Sequence, residues 1–136
     1  MIYSVIKLAD KIRRGIMEIA DIAEVKVLFE RNKYLLVKVS APDGSEKFIV
    51  RTGPDPGLHK QIWRNIIQEL SGFKVRRFGG GSLFVDEQSK HIKISDFSGD
   101  YGLADHNKTA KILAQQECFR EYSIETHFPK DLKVVQ

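Results

Sequence analysis

Tyr34-Leu35-Leu36-Val37-Lys38-Val39 is the stretch on which the fold turns. β-Branched and aromatic side chains favour a strand, and alternate residues of a strand point to opposite faces. Both alternating sets are mostly apolar here, so this strand is expected to be covered on both faces. Lys33 precedes it by one residue and falls on the face of Leu35 and Val37. A lysine at the end of an inward face either reaches a pocket and holds an anion or carries its charge out to solvent. Upstream, Val25-Lys26-Val27-Leu28-Phe29 reads as another strand. Downstream, Pro42-Asp43-Gly44-Ser45 is a turn. Lys47-Phe48-Ile49-Val50-Arg51 returns as the hairpin partner, with Arg51 at its end in the same position as Lys33.

Thr52 to Gly57 interrupts regular structure with two prolines and two glycines. Beyond it, Leu58, Ile62, Trp63, Ile66, Ile67 and Leu70 recur at helical spacing. Asp55 is placed to cap that helix with Pro56 at its first position, and Gly72 to end it. Phe73 to Phe78 reads as a strand, followed by Gly79-Gly80-Gly81. That run leads into strand rather than helix, so it reads as a bulge or a close backbone approach rather than a phosphate fingerprint. Leu83 to Val85 and His91 to Ile94 flank a polar turn and suggest a second hairpin. After the loop Ser98-Gly99-Asp100-Tyr101-Gly102, the residues Leu103, His106, Ala110, Leu113 and Ala114 form a second helical face, and Tyr122 to Thr126 a last strand. The order predicts one α+β domain over residues 24–128, a mixed sheet flanked by helices. Residues 129–136 are expected to form a loose tail.

Residues 1–23 precede this domain. Val5, Leu8, Ile12, Ile16 and Ile19 share one helical face, predicting an amphipathic helix docked on the domain or, alternatively, lying on a membrane surface. Asp10, Glu18 and Asp21 argue against a mitochondrial presequence.

Composition narrows the class. The 136 residues are 42% hydrophobic and 29% charged, which argues for a folded core over disorder. The formal charge of +4 suits an anionic ligand, but no dense Lys/Arg block points to nucleic acid. The single cysteine, Cys118, excludes an internal disulfide framework and a cysteine-rich zinc site. It points to a reducing, cytoplasmic setting, and without an activating neighbour it reads as structural. No apolar run is long enough for a membrane span, and no pair of histidines or carboxylates has metal spacing.

His59 is the most informative single residue. In the first turn of a helix the partial positive charge of the helix end disfavours imidazolium, and a neutral imidazole is what a nucleophile or general base requires. A surface histidine at a helix start is the plainer reading. Ser98 to Gly102 leads into the second helix, where Gly99, Asp100 and their neighbours can present N–H groups to an anion; an ordinary turn is the alternative. His106 lies on an apolar helical face and reads as a packed core residue. His91 and His127 have no assigned role.

Several of these segments together resemble the protein histidine phosphatase family, the phosphohistidine phosphatases that include the Janus and Ocnus proteins. Asn32 to Val37 is similar to the family's FKYVLI stretch, Ile49-Val50-Arg51 to its IVRG, and Leu58-His59 to its aromatic-histidine pair. Phe78 to Gly81 is similar to its GGGR, and Phe97 to His106 to its YS-x-x-YG-x-A-x-H stretch, which is the most specific. The resemblance runs from about residue 24 to about residue 126. It implies a mixed sheet flanked by helices and metal-free, cofactor-free hydrolysis of phosphoramidate bonds in phosphohistidine-containing proteins or peptides, by a monomer. By position it makes His59 the catalytic histidine and Lys33 its assistant. It places Ser98, Gly99 and Asp100 in the phosphate-holding loop and Arg51 near the pocket, and it gives His106 a structural role. Ser82 stands where the family has arginine, Asp96 lies in a segment that replaces YGYS, and Lys60-Gln61 replaces Ala-Asp. These departures favour the Janus/Ocnus branch, and with it the alternative of a diverged module that binds a phosphorylated ligand without turning it over.

Overall fold

The double-sided apolar strand becomes the centre of a six-stranded sheet. The computed structural model describes residues 17–53 and 58–136. Its strands are β1 (Val25–Lys26), β2 (Glu30–Ser40), β3 (Glu46–Thr52), β4 (Lys74–Asp86), β5 (His91–Ser95) and β6 (Ser123–Thr126), in the spatial order β1-β3-β2-β4-β5-β6. The inner pairs are antiparallel and the outer pairs, β1 with β3 and β5 with β6, are parallel. Helix α1 (His59–Glu69) joins β3 to β4, and helix α2 (His106–Ala114) lies between β5 and β6. This is the α+β mixed sheet that the element order implied.

The helices take opposite faces. Leu35, Val37 and Val39 of β2 pack with Ile62, Ile66 and Leu70 from α1 and its C-cap. Tyr34 and Leu36 pack on the other side with Leu83, Ile92 and Leu113, beneath α2. β2 is therefore buried on both faces, which is why neither of its alternating sets tolerates a polar majority. α1 buries residues at steps of three and four, the stripe that a helix lying on a sheet needs.

Two expected strands merge into one. Residues 73–78 and 83–85 belong to the single strand β4, which runs through Gly79-Gly80-Gly81. Leu35 pairs with Gly80 but Val37 with Arg77, so β4 carries one extra residue, and Gly79 takes φ +83 there. The glycines also admit close neighbours. A Cβ on Gly80 would stand 2.4 Å from the Tyr34 carbonyl oxygen, and one on Gly81 2.4 Å from that of Ser95. The run is thus both the bulge and the close approach that its position suggested.

Elsewhere the boundaries shift. The first strand stops at Lys26, because the Leu28 N–H turns to the Thr52 hydroxyl and Glu30 takes φ 66. Of the expected N-terminal helix, residues 1–16 lie outside the described residues, as do Asp55 and Pro56. The described end of that segment forms a 3₁₀ turn, Ile19–Asp21, and buries Ile22 against the α1-side core. The C-terminal residues, expected to be loose, run beside Leu103: Val134 bridges to it and the Val135 N–H donates to its carbonyl. Among the described residues no helix is long and apolar enough to cross a membrane.

Gly80→Ala should destabilise the fold by about 1–3 kcal/mol, because a methyl there meets backbone rather than a movable side chain. A Cβ on Gly99 meets nothing within 4 Å, so Gly99→Ala should stay within about 0.5 kcal/mol of the parent. Urea midpoints of the two variants check this.

Candidate active site at the start of helix α1

His59 is the first residue of α1, with Leu58 as the N-cap in place of the anticipated Asp55. The Leu58 N–H donates to the Gln61 side-chain oxygen at 3.3 Å. The imidazole is only 6% exposed, and its Nε2 lies 3.0 Å from the Gly81 carbonyl oxygen. A carbonyl only accepts, so Nε2 bears the proton and Nδ1 holds the lone pair of the neutral ring. Burial holds the pKa below its ordinary 6.5. Lys33's charge adds to that, while the Gly81 hydrogen bond and the charge of Asp100 oppose it. The helix N-terminus acts in the same direction as burial.

Lys33 pairs with Ser82 across β2 and β4, next to the Tyr34–Gly81 pair whose carbonyl fixes His59. It is exposed, on the α1 side of the sheet, as alternation required. The loop before α2 reaches the same place. Ser98 and Gly102 exchange backbone hydrogen bonds at 3.0 and 2.8 Å, and the Gly80 N–H donates to the Gly102 carbonyl at 3.0 Å. Buried Ser98 accepts from the Tyr101 N–H through Oγ at 3.0 Å, so its hydroxyl shapes the loop. The N–H groups of Gly99 and Asp100 make no hydrogen bond among the described residues. The Asp100 carboxylate lies 3.8 Å from Lys60 Nζ, which offsets its charge. His59, Lys33 and the Ser98–Gly102 loop thus converge on Gly80-Gly81, although they come from three separate segments of the chain.

Arg51 does not join them. Its guanidinium grips Glu69 through Nε at 3.0 Å and Nη2 at 2.9 Å, and also donates to the carbonyls of Ala23 and Val50. Glu69 ends α1, about 15 Å along the helix axis from His59. The anion-binding role considered for Arg51 is replaced by a buried ion pair that ties β3 to the end of α1. A cleft of about 620 Å³ opens beside that pair, lined by Met17, Ile22, Lys26 and Phe73 among others, and is remote from the histidine.

The Janus/Ocnus family matches this chain over residues 19–123, which takes in every element from the 3₁₀ turn to the start of β6. The chain belongs to the Janus/Ocnus family. It is 30% identical over 113 residues to the sex-regulated protein janus-B of Drosophila teissieri, with 80% of each chain covered. Against janus-B of Drosophila melanogaster the identity is 28% over the same length and coverage. It is 31% identical over 97 residues to the sex-regulated protein janus-A of Drosophila yakuba, covering 69% of this chain and 70% of that one.

In this Janus/Ocnus chain the histidine that ends the 97–106 stretch is a packing residue. His106 is fully buried: Nε2 donates to the Asp96 carbonyl at 2.8 Å, and Nδ1 accepts from the Tyr34 hydroxyl at 2.6 Å. Thr109 meets the same hydroxyl at 3.1 Å, completing a satisfied chain. Burial lowers the His106 pKa and pushes that of Tyr34 well above the usual phenol range. Cys118, by contrast, is exposed on the 3₁₀ turn Glu117–Phe119 and has no core-packing role.

The structure also assembles a group that sequence spacing did not reveal. Glu125 on β6 stands 2.6 Å from Nε2 of both His91 and His127, and its pKa falls to about 2 through these hydrogen bonds. The available signal was the two-residue spacing of Glu125, on β6, and His127, just beyond its end; His91 required the β5–β6 pairing. Among the described residues no group of three His, Cys, Asp or Glu is arranged to hold a metal ion.

Three outcomes follow from these contacts. Both His59 and His106 should titrate below 6.5 by NMR. Because the unfolded chain then binds more protons than the folded one, stability is full above pH 6.5 and is lost as pH falls through the lowered folded pKa values; urea melts at pH 7.5 and 5 read this. Glu69→Ala should cost about 1–3 kcal/mol, since it strands a buried guanidinium whose partner is partly exposed.

Proposed function

We propose that this chain hydrolyses the phosphoramidate bond of phosphohistidine in proteins, with His59 as the chemical group. The observation that carries the reading is the tautomer: Nε2–H is held by the Gly81 carbonyl, which leaves a buried neutral imidazole with its lone pair on Nδ1. In the general-base route, Nδ1 takes a proton from water as the water oxygen forms its bond to phosphorus. The P–N bond breaks, and the departing imidazole nitrogen takes that proton. In the nucleophilic route Nδ1 bonds to phosphorus as the substrate P–N bond breaks, the departing imidazole nitrogen taking a proton from water; the hydroxide that remains then bonds to phosphorus, breaks the P–Nδ1 bond and releases phosphate. Either route develops charge on the phosphoryl oxygens, which Lys33 and the N–H groups of Gly99 and Asp100, without a partner among the described residues, are suited to stabilise. The resemblance of residues 97–106 to the phosphohistidine phosphatases supports the same assignment.

A second reading, a phospho-ligand binding module, is favoured by Ser82. It faces Lys33 across the ladder where the phosphatases carry arginine, so one cation is missing beside the site. Incubation with a phosphohistidine peptide separates the two. Under the first reading phosphate is released, unaffected by chelator, and His59→Ala slows release by about 100-fold or more. Under the second, the peptide binds and no phosphate appears. His106→Ala should instead lower stability by about 1–3 kcal/mol with a smaller effect on turnover of the folded protein.

A further inference from the structure

Helix α1 packs on the face of the sheet that carries Lys33 chiefly over β2 and β3 and reaches β4 through His59 and Trp63. The register extends that face across the remaining strands in rows. Arg31, Phe84, Lys93 and Glu125 form one row, and Asp86, His91 and Ser123 another; Lys33, Ser82 and Ser95 form the row beside His59. None of these side chains is buried, and none belongs to either core. Their charges are not balanced. Arg31, Lys33 and Lys93 have no ion-pair partner among the described residues, and Arg31 lies over the Phe84 ring at 5.6 Å from its centroid. The two acids are engaged: Asp86 accepts from the N–H groups of Gln88 and Ser89, and Glu125 is flanked by both histidines.

Spacing selects the shape of the occupant. Arg31 and Lys33 are two residues apart on one strand, about 7 Å, and Lys93 lies two strands from Arg31, about 10 Å. Lys33 is assigned to the phosphoryl group, which leaves Arg31 and Lys93 for the rest of a ligand. An extended chain that crosses the strands from Lys33, with alternate side chains repeating at about 7 Å, can bring carboxylates within reach of Arg31 and Lys93. We propose that this open face docks an acidic, extended polypeptide segment flanking the phosphorylated residue, so that the substrate is read by its neighbours as well as by its phosphoryl group. The proposal rests on the phosphohistidine reading for the role of His59, but the docking itself needs no turnover.

The test uses peptides carrying a non-hydrolysable phosphohistidine analogue with either an acidic or a neutral flank, together with the unphosphorylated acidic peptide. At low salt the acidic flank should bind about tenfold tighter than the neutral one, the unphosphorylated acidic peptide should still bind, and the preference should shrink as the screening length falls from about 30 to about 8 Å. The double variant Arg31→Glu, Lys93→Glu should abolish the preference while leaving hydrolysis of inorganic phosphoramidate unchanged. Equal binding of both flanks, or a preference that survives the double variant, overturns the docking proposal. Tighter binding of a single-stranded oligonucleotide of equal charge also overturns it, by reassigning the face to nucleic acid. Failure of the wild type to hydrolyse phosphoramidate overturns the catalytic reading alone, because the flank preference is read from binding.

Discussion

The arrangement depends on a short length of backbone without side chains. Gly80 and Gly81 lie at the middle of β4, with opposite faces open. A Cβ on Gly80 would meet the His59 ring and Leu35; one on Gly81 would meet the His106 ring and Tyr34. Each histidine begins a helix, and each helix covers one face of the sheet. The missing side chains let both rings approach the same two residues from opposite sides. The Gly81 carbonyl then holds His59, and the Gly80 N–H and carbonyl hold the Ser98–Ala104 segment. Any bulk at these positions displaces a ring, a loop or the β2 ladder.

The two histidines show how one residue type acquires two characters from its surroundings. Both are buried, and both have depressed pKa values chiefly because burial disfavours the charged ring. His106 has both ring nitrogens engaged, by Asp96 and Tyr34, so its chemistry is spent inside the core. His59 has a carbonyl partner at Nε2 and, in Lys33 and Asp100, charges of both signs near it. That difference in partners, more than any difference in burial, separates a packing histidine from one suited to proton or phosphoryl transfer.

Arg51 and the Glu125 cluster make the complementary point about charge. From its place at a strand end, Arg51 had the same standing as Lys33, yet Glu69 arrives at the end of α1 and consumes it. A carboxylate eighteen residues later in the chain gives no local sign of its partner. His91 and His127 are distant in sequence and meet only because β5 and β6 run parallel in register. The parallel pairing brings the two histidines to one carboxylate, while Arg31 and Lys93 on the same face have no ion-pair partner among the described residues.

Local pattern alone determined much of this protein. The two apolar sets of residues 34–39 required cover on both faces, and the spacing of Ile62, Ile66 and Leu70 required a helix to provide part of it. The alternation that set Lys33 beside Leu35, and the glycine run in a strand context, also read correctly, since each depends only on backbone periodicity or on the absence of a Cβ. Tertiary structure decided what pairs with what. It joined two short strands through the glycines into β4, because an unhindered bulge lets the ladder continue. It gave Arg51 to Glu69, brought His91 and His127 to Glu125, and docked the C-terminal residues beside Leu103. Each of these is a contact between segments remote along the chain, where hydrogen-bond and charge partners are chosen by the packing of whole elements and leave no mark in local composition.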